Sequence, residues 1–167
     1  MTDDGFYTEP WFLESFLELA DDLAAARDKN KRLAIMWELR GCPYCRDTHL
    51  INFARPEIAD YIKARFDILQ LNIVGSRDVV DFDGEKLSEK MFARKYEVRS
   101  VPTFQFFADT VAGLADKIPR QREVARVQGY IEPQPFLDVF RFVANRDYEQ
   151  GKVLQLPQNN KRTRAEP

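Results

Sequence analysis

The sequence predicts an α/β domain: a central mixed four-stranded sheet flanked by helices, with an added N-terminal helix. Two patterns in the chain predict this. Strand-length apolar runs alternate with segments of helical periodicity, an order that implies parallel pairing with right-handed crossovers. Two consecutive strand-like runs near the end then imply an antiparallel hairpin. Composition agrees: of 167 residues 44% are hydrophobic and 31% charged, and thirteen Phe and six Tyr are enough for one sizeable core.

Each element follows from local pattern. From Trp11 to Asp28, Phe12, Phe16, Leu19, Leu23 and Ala26 recur at three- and four-residue steps, which predicts an amphipathic helix. Leu33 to Trp37 is a continuous apolar run, the mark of a strand covered on both faces. Pro43 suits the first turn of a helix, expected to run through Ile51 and Phe53, and Pro56 starts a second piece through Ile62. Phe66 to Ile73 alternates as a strand. Gly75 to Leu87 reads as a loop with a turn at Asp83-Gly84, and Ser88 caps a helix to Tyr96 with Met91, Phe92 and Tyr96 inward. Thr103 to Phe107 is a strand, Asp109 to Arg122 an irregular insert, and Glu123 to Gly129 a further strand. Phe136, Leu137, Phe140 and Val143 mark a final helix ending near Gly151. The domain is expected over residues 1–151 and a flexible tail over 152–167, because Gln158 to Pro167 has no apolar residue beyond Ala and Pro.

Several function classes drop out. With 25 Lys+Arg against 27 Asp+Glu, the chain lacks the cationic excess of a nucleic-acid binder. No segment approaches the ~20 apolar residues of a membrane-inserted helix. The only cysteines are Cys42 and Cys45, too few for a disulfide scaffold or a four-cysteine metal site.

Those two cysteines sit where a strand is expected to end and a helix to begin. Free N–H groups and the positive dipole end converge there and stabilise a thiolate at Cys42. Such placement lowers a thiol pKa from about 8.5 to roughly 3.5–7.5. Cys45, one turn later on the same side, is placed to resolve a mixed disulfide by attacking Cys42. Val101-Pro102-Thr103 opens a later strand, where Pro102 is compatible with an ordinary trans strand-start proline.

With these residues in view the chain resembles a thioredoxin-fold protein over about Leu33 to Arg146. Cys42-Pro43-Tyr44-Cys45 stands as the redox motif and Val101-Pro102-Thr103 as the cis-proline loop. More narrowly it is similar to the periplasmic thioredoxin-like proteins of bacterial sulfur-oxidation (Sox) systems. The residues are Phe16 to Leu23, Gly41 to Cys45 with His49, Leu71-Asn72, Gly75-Ser76-Arg77 and Asp81 to Gly84. The resemblance implies a cis Pro102, a Val101 backbone that pairs with an extended substrate, and an exported protein. It further implies protein thiol or disulfide substrates, a sulfur-carrier protein among them, and a membrane thiol transporter as electron donor. Neither a cofactor nor a metal is expected. Periplasmic location presumes a signal peptide outside this sequence; a native start at Met1 would make the protein cytoplasmic.

Thioredoxins carry a buried Asp six residues before the first cysteine, where this chain has Met36. Glu38 lies on the same side of the strand and is the candidate to receive the Cys45 proton, against a solvent-exposed strand-end Glu. His49, the only histidine, falls about 40° around an ideal helix from Cys45. Its candidate roles are tuning the dithiol, completing a Cys-Cys-His metal site, or standing solvated on the helix. Tyr44 is expected at the surface beside the entry path, and Trp37 in the core. Asp78, Asp81, Asp83 and Glu85 lack the register of a calcium loop and read as a solvated turn. The leading function is a dithiol reductase for proteins; the alternatives are glutathione-dependent glutaredoxin-like or isomerase activity, and metal delivery by Cys42, Cys45 and His49.

Overall fold

A computed structural model describes residues 1–157. Six strands and six α-helices follow one another: α1 (Leu19–Asp28), β1 (Arg32–Glu38), α2 (Pro43–Asp47), α3 (Pro56–Arg65), β2 (Phe66–Asn72), β3 (Asp78–Val80), β4 (Lys86–Ser88), α4 (Glu89–Lys95), β5 (Thr103–Phe107), α5 (Pro119–Arg122), β6 (Glu123–Gln128) and α6 (Pro133–Ala144). A π-helical turn, Thr48–Asn52, continues α2, and a 3-10 turn, Asp147–Gln150, follows α6. The main sheet has the order β2-β1-β5-β6. β1 and β2 are parallel; β5 is antiparallel to both β1 and β6. This is the mixed four-stranded sheet expected from the sequence.

The alternation along β1 explains the layers. Leu33, Ile35 and Trp37 face one side, where Leu19 and Leu23 of α1 and Phe92 of α4 cover them. Ala34 and Met36 face the other, under Ile58 and Ile62 of α3 and Phe136 and Phe140 of α6. All seven β1 residues are buried because both faces are roofed.

The N-terminal helix is shorter than its periodicity suggests. Leu17 takes a left-handed φ of +63°, and Ser15 Oγ accepts the Leu17 N–H while bonding to the Asp22 carboxylate, so the helix starts at Leu19. Upstream, the chain runs along the exposed edge of β2: Leu13 N–H donates to Ile68 O and Gln70 Nε2 donates to Tyr7 O. Phe12 therefore reaches the core, whereas Phe16 is 99% exposed rather than helix-packed.

Other differences have similar tertiary causes. The loop expected over 75–87 contains the hairpin β3–β4, tied to the N-terminal segment by a Glu18–Val80 bridge. Met91 points outward, and the last α-helix stops at Ala144. The acidic loop is not simply solvated: Asp81 is buried against Arg122, Lys95 and the Tyr96 hydroxyl, which anchors the insert through α5. Of the expected tail, Leu154 and Leu156 pack on the core, and Gln158 to Pro167 lies outside the described residues. Among the described residues, no helix is long and apolar enough to cross a membrane.

Candidate functional site

β1 delivers the chain to the site at its C-terminal end. Gly41, at a φ of +75° with nothing near its missing Cβ, turns it into α2. Cys42 is the N-cap, in extended geometry, and Pro43 occupies the first turn. The Cys42 sulfur accepts the Cys45 N–H at 3.1 Å, one of the donors that a helix start leaves free. The two cysteines form a disulfide with a Cα–Cα distance of 5.3 Å. They are unequal: Cys42 is partly exposed, while Cys45 is 3% exposed. A partner's sulfur can reach the first and not the second.

The neighbouring strand adds the next part. Trp37 pairs with Thr103, so continuing the antiparallel register sets Pro102 level with Glu38. The Val101–Pro102 peptide is cis. Pro102 is buried, Val101 is partly exposed, and Gly129 N–H donates to Pro102 O at 2.8 Å, fixing the loop against β6. Tyr44 is 60% exposed and stacks on Tyr130, with centroids 6.4 Å apart. Trp37 is wholly buried, its indole N–H donating to Gln105.

Glu38 is 1% exposed, which removes the solvent-exposed reading. Its Oε1 lies 2.7 Å from His49 Nε2, and its Oε2 accepts the Gln70 side-chain amide. A cavity of about 240 Å³ is lined by Glu38, Cys42 and Cys45, with Tyr7, Leu39 and Gly41. His49, in the π-helical turn, is likewise buried rather than solvated. Its Nδ1 lies 2.8 Å from Glu9 Oε1. Both ring nitrogens are thus engaged by carboxylates, which leaves neither to complete a Cys-Cys-His metal site. Burial alone would push the imidazole pKa down, but the hydrogen bonds and charges of Glu38 and Glu9 outweigh it and raise the value.

Sequence reasoning brought Cys42, Cys45, Glu38 and His49 to one end of the sheet but missed Glu9, Tyr7 and Gln70. Glu9 is 40 positions from His49 and carries no local signal. Its role depends on the irregular path of the N-terminal segment.

A family model, described as a thioredoxin-like domain, matches residues 19–144. No curated protein matches the chain. Among solved structures, a thioredoxin-fold protein from Helicobacter pylori is 22% identical with a TM-score of 0.60, covering 80% of this chain and 88% of that one. A thioredoxin from Thermus thermophilus is also 22% identical, with a TM-score of 0.57 and coverage of 79% and 88%. At these identities the likeness is one of fold. The family match spans the whole main sheet and carries the reactive pair at the start of α2. The chain belongs to the thioredoxin-like domain family, and with its Cys42–Cys45 pair it is a thiol–disulfide oxidoreductase.

Proposed function

We propose that the protein reduces disulfides or oxidised cysteines of partner proteins through the Cys42/Cys45 dithiol. The observation that carries this reading is the inequality of the two sulfurs. The partly exposed Cys42 caps a helix and accepts an N–H, while Cys45 is covered behind it. In the reduced protein the Cys42 thiolate attacks one sulfur of a substrate disulfide. A Cys42–substrate disulfide forms and the other substrate sulfur leaves as a thiolate. Cys45 gives its proton to Glu38, attacks the Cys42 sulfur and expels the second substrate thiolate. Two electrons have then passed to the substrate, and the pair is left as the disulfide present in this structure.

Pro43, Tyr44, Val101 and Pro102 form the substrate-facing rim in this reading. An extended substrate segment pairs with the Val101 backbone, as in strand addition. The exposed Tyr44 ring offers an apolar contact beside it. A periplasmic setting, a sulfur-carrier protein as substrate and a membrane thiol transporter as donor make up the finer proposal. It is supported by the sequence resemblance, including Gly75-Ser76-Arg77, a loop held here by the Glu89 carboxylate.

Trapping tests the reading. Cys45→Ser protein, reduced and exposed to a periplasmic extract of a sulfur-oxidising bacterium, should retain partners through Cys42 that a thiol reductant releases. Cys42→Ser protein should retain none. Equal capture by both variants would overturn the assignment of Cys42 as the attacking residue. Strong turnover with glutathione would move the reading to the glutaredoxin-like alternative.

A further inference from the structure

Resolution of the mixed disulfide requires the Cys45 proton to leave a nearly closed site. Glu38, the acceptor in the reading above, is itself 1% exposed. Its carboxylate faces the cavity on one side and His49 on the other. The structure supplies a route. Glu38 Oε1 is 2.7 Å from His49 Nε2, and His49 Nδ1 is 2.8 Å from Glu9 Oε1. The Glu9 side chain is 20% exposed, whereas those of His49 and Glu38 are 2% and 1% exposed. Exposure therefore rises outward along one unbroken hydrogen-bonded line.

The surroundings isolate this line. Phe12 and Phe53 lie 5.7 and 5.5 Å from the imidazole, and Tyr7 stacks on it at 6.2 Å. Among the described residues, titratable and charged groups face it from a few elements. The N-terminal segment contributes Glu9 and Tyr7, and Met1, which bears the α-amino group, lines the cavity. α2 contributes Cys42 and Cys45 across the cavity, with Arg46 on the cavity wall. β2 contributes the uncharged Gln70. The cavity shared by Cys45 and Glu38, about 240 Å³, is large enough to admit water between them.

We infer that His49 and Glu9 form the proton exit from Glu38, so that the N-terminal segment completes the redox site. The inference rests on the dithiol reading and adds to it. Glu38 takes the Cys45 proton. The neutral imidazole, its Nδ1–H directed at Glu9, takes the Glu38 proton at Nε2 as it releases its Nδ1 proton to Glu9, which returns Glu38 to carboxylate; the line run in reverse when the disulfide is next reduced restores the starting tautomer. Glu9 then loses its proton to solvent. The net change is one proton moved from Cys45 to water, with no electrons transferred along the line. His49 and Glu9 act through Glu38 and are positioning residues.

The test is stopped-flow reaction of the reduced protein with excess dithiobisnitrobenzoate. A first release of coloured thiolate reports attack by Cys42, and a second reports resolution by Cys45. Wild type, Glu9→Gln, Glu9→Asp and His49→Gln are compared from pH 5.5 to 9, with circular dichroism confirming the fold. The first phase should be the same in all four. The second should slow roughly 10-fold in Glu9→Gln and up to about 100-fold in His49→Gln, recover largely in Glu9→Asp, and change its pH profile. Small carboxylate or imidazole buffers should speed the slowed variants, which a merely structural defect would not allow. A normal second phase with an unaltered pH profile in Glu9→Gln and His49→Gln overturns the inference while leaving the dithiol reading intact. Loss of the first phase in wild type overturns the dithiol reading itself.

Discussion

His49 Nε2 lies 2.7 Å from Glu38 Oε1, inside a wall of aromatic rings. The opposite ring nitrogen meets Glu9. A histidine held this way has a folded-state pKa above its ordinary value of about 6.5. Its contribution to stability is fully present below that unfolded value and is lost as the pH rises through the folded one. Urea midpoints measured from pH 5 to 9 should fall toward the alkaline end in wild type. The decline should be shallower in His49→Gln. Parallel curves for the two proteins would show that the pair is not linked to folding.

Gly75 is a packing requirement for the loop after β2. A Cβ there would overlap the Glu89 carboxylate, 2.6 Å from its Cδ and 3.1 Å from Asn72 Cβ. Glu89 cannot swing away cheaply, since its oxygens accept the Asn72 and Arg77 N–H groups and the Arg77 guanidinium. Gly75→Ala should therefore cost about 1–3 kcal/mol in chemical denaturation. Glu89→Gln combined with Gly75→Ala should be less than additive, because the two changes disturb one contact.

The buried Asp81–Arg122 pair holds the insert to the hairpin and α4. Arg122 is 3% exposed and Asp81 wholly covered, with N–O distances of 3.0 Å between them and 2.6 Å to Lys95. Removing one partner of a buried pair strands the other. Arg122→Met should destabilise by about 3 kcal/mol, somewhat eased because Lys95 still faces Asp81. Trypsin cleavage within residues 109–122 should accelerate in that variant.

Asp83 makes the same cluster sensitive to acid. Partial burial would raise its pKa, but Lys95, the Glu85 N–H and Arg122 outweigh this and lower it to about 2. A depressed carboxyl pKa gives stability that is present above the unfolded value of about 3.9 and lost as the pH falls toward the folded one. Asp83→Asn should flatten the loss of thermal stability between pH 4 and 2. An unchanged acid limb would place the acid-sensitive groups elsewhere.

The parts of the fold legible in the sequence were those fixed by local pattern. The apolar run of β1, the Cys42-Pro43 helix start and the Ser88 cap each follow from neighbours a few residues apart. The start of α1 was not, because the spacing of Phe12 and Phe16 continues a helical rhythm that the left-handed Leu17 breaks. The Glu9–His49 and Asp81–Arg122 contacts join residues 40 and 41 positions apart. No periodicity or capping rule records such pairs. Glu38 was legible as a candidate through strand alternation, but its contact with His49 joins two elements 11 positions apart and has no local signal.

The dithiol cycle begins with a stabilised thiolate at Cys42. Its most direct measurement is the ultraviolet thiolate absorbance of reduced Cys45→Ser protein titrated with pH, where Cys42 is the sole thiol. An apparent pKa below about 7.5 is expected; a value near 8.5, that of an ordinary cysteine, would show that Cys42 is not activated.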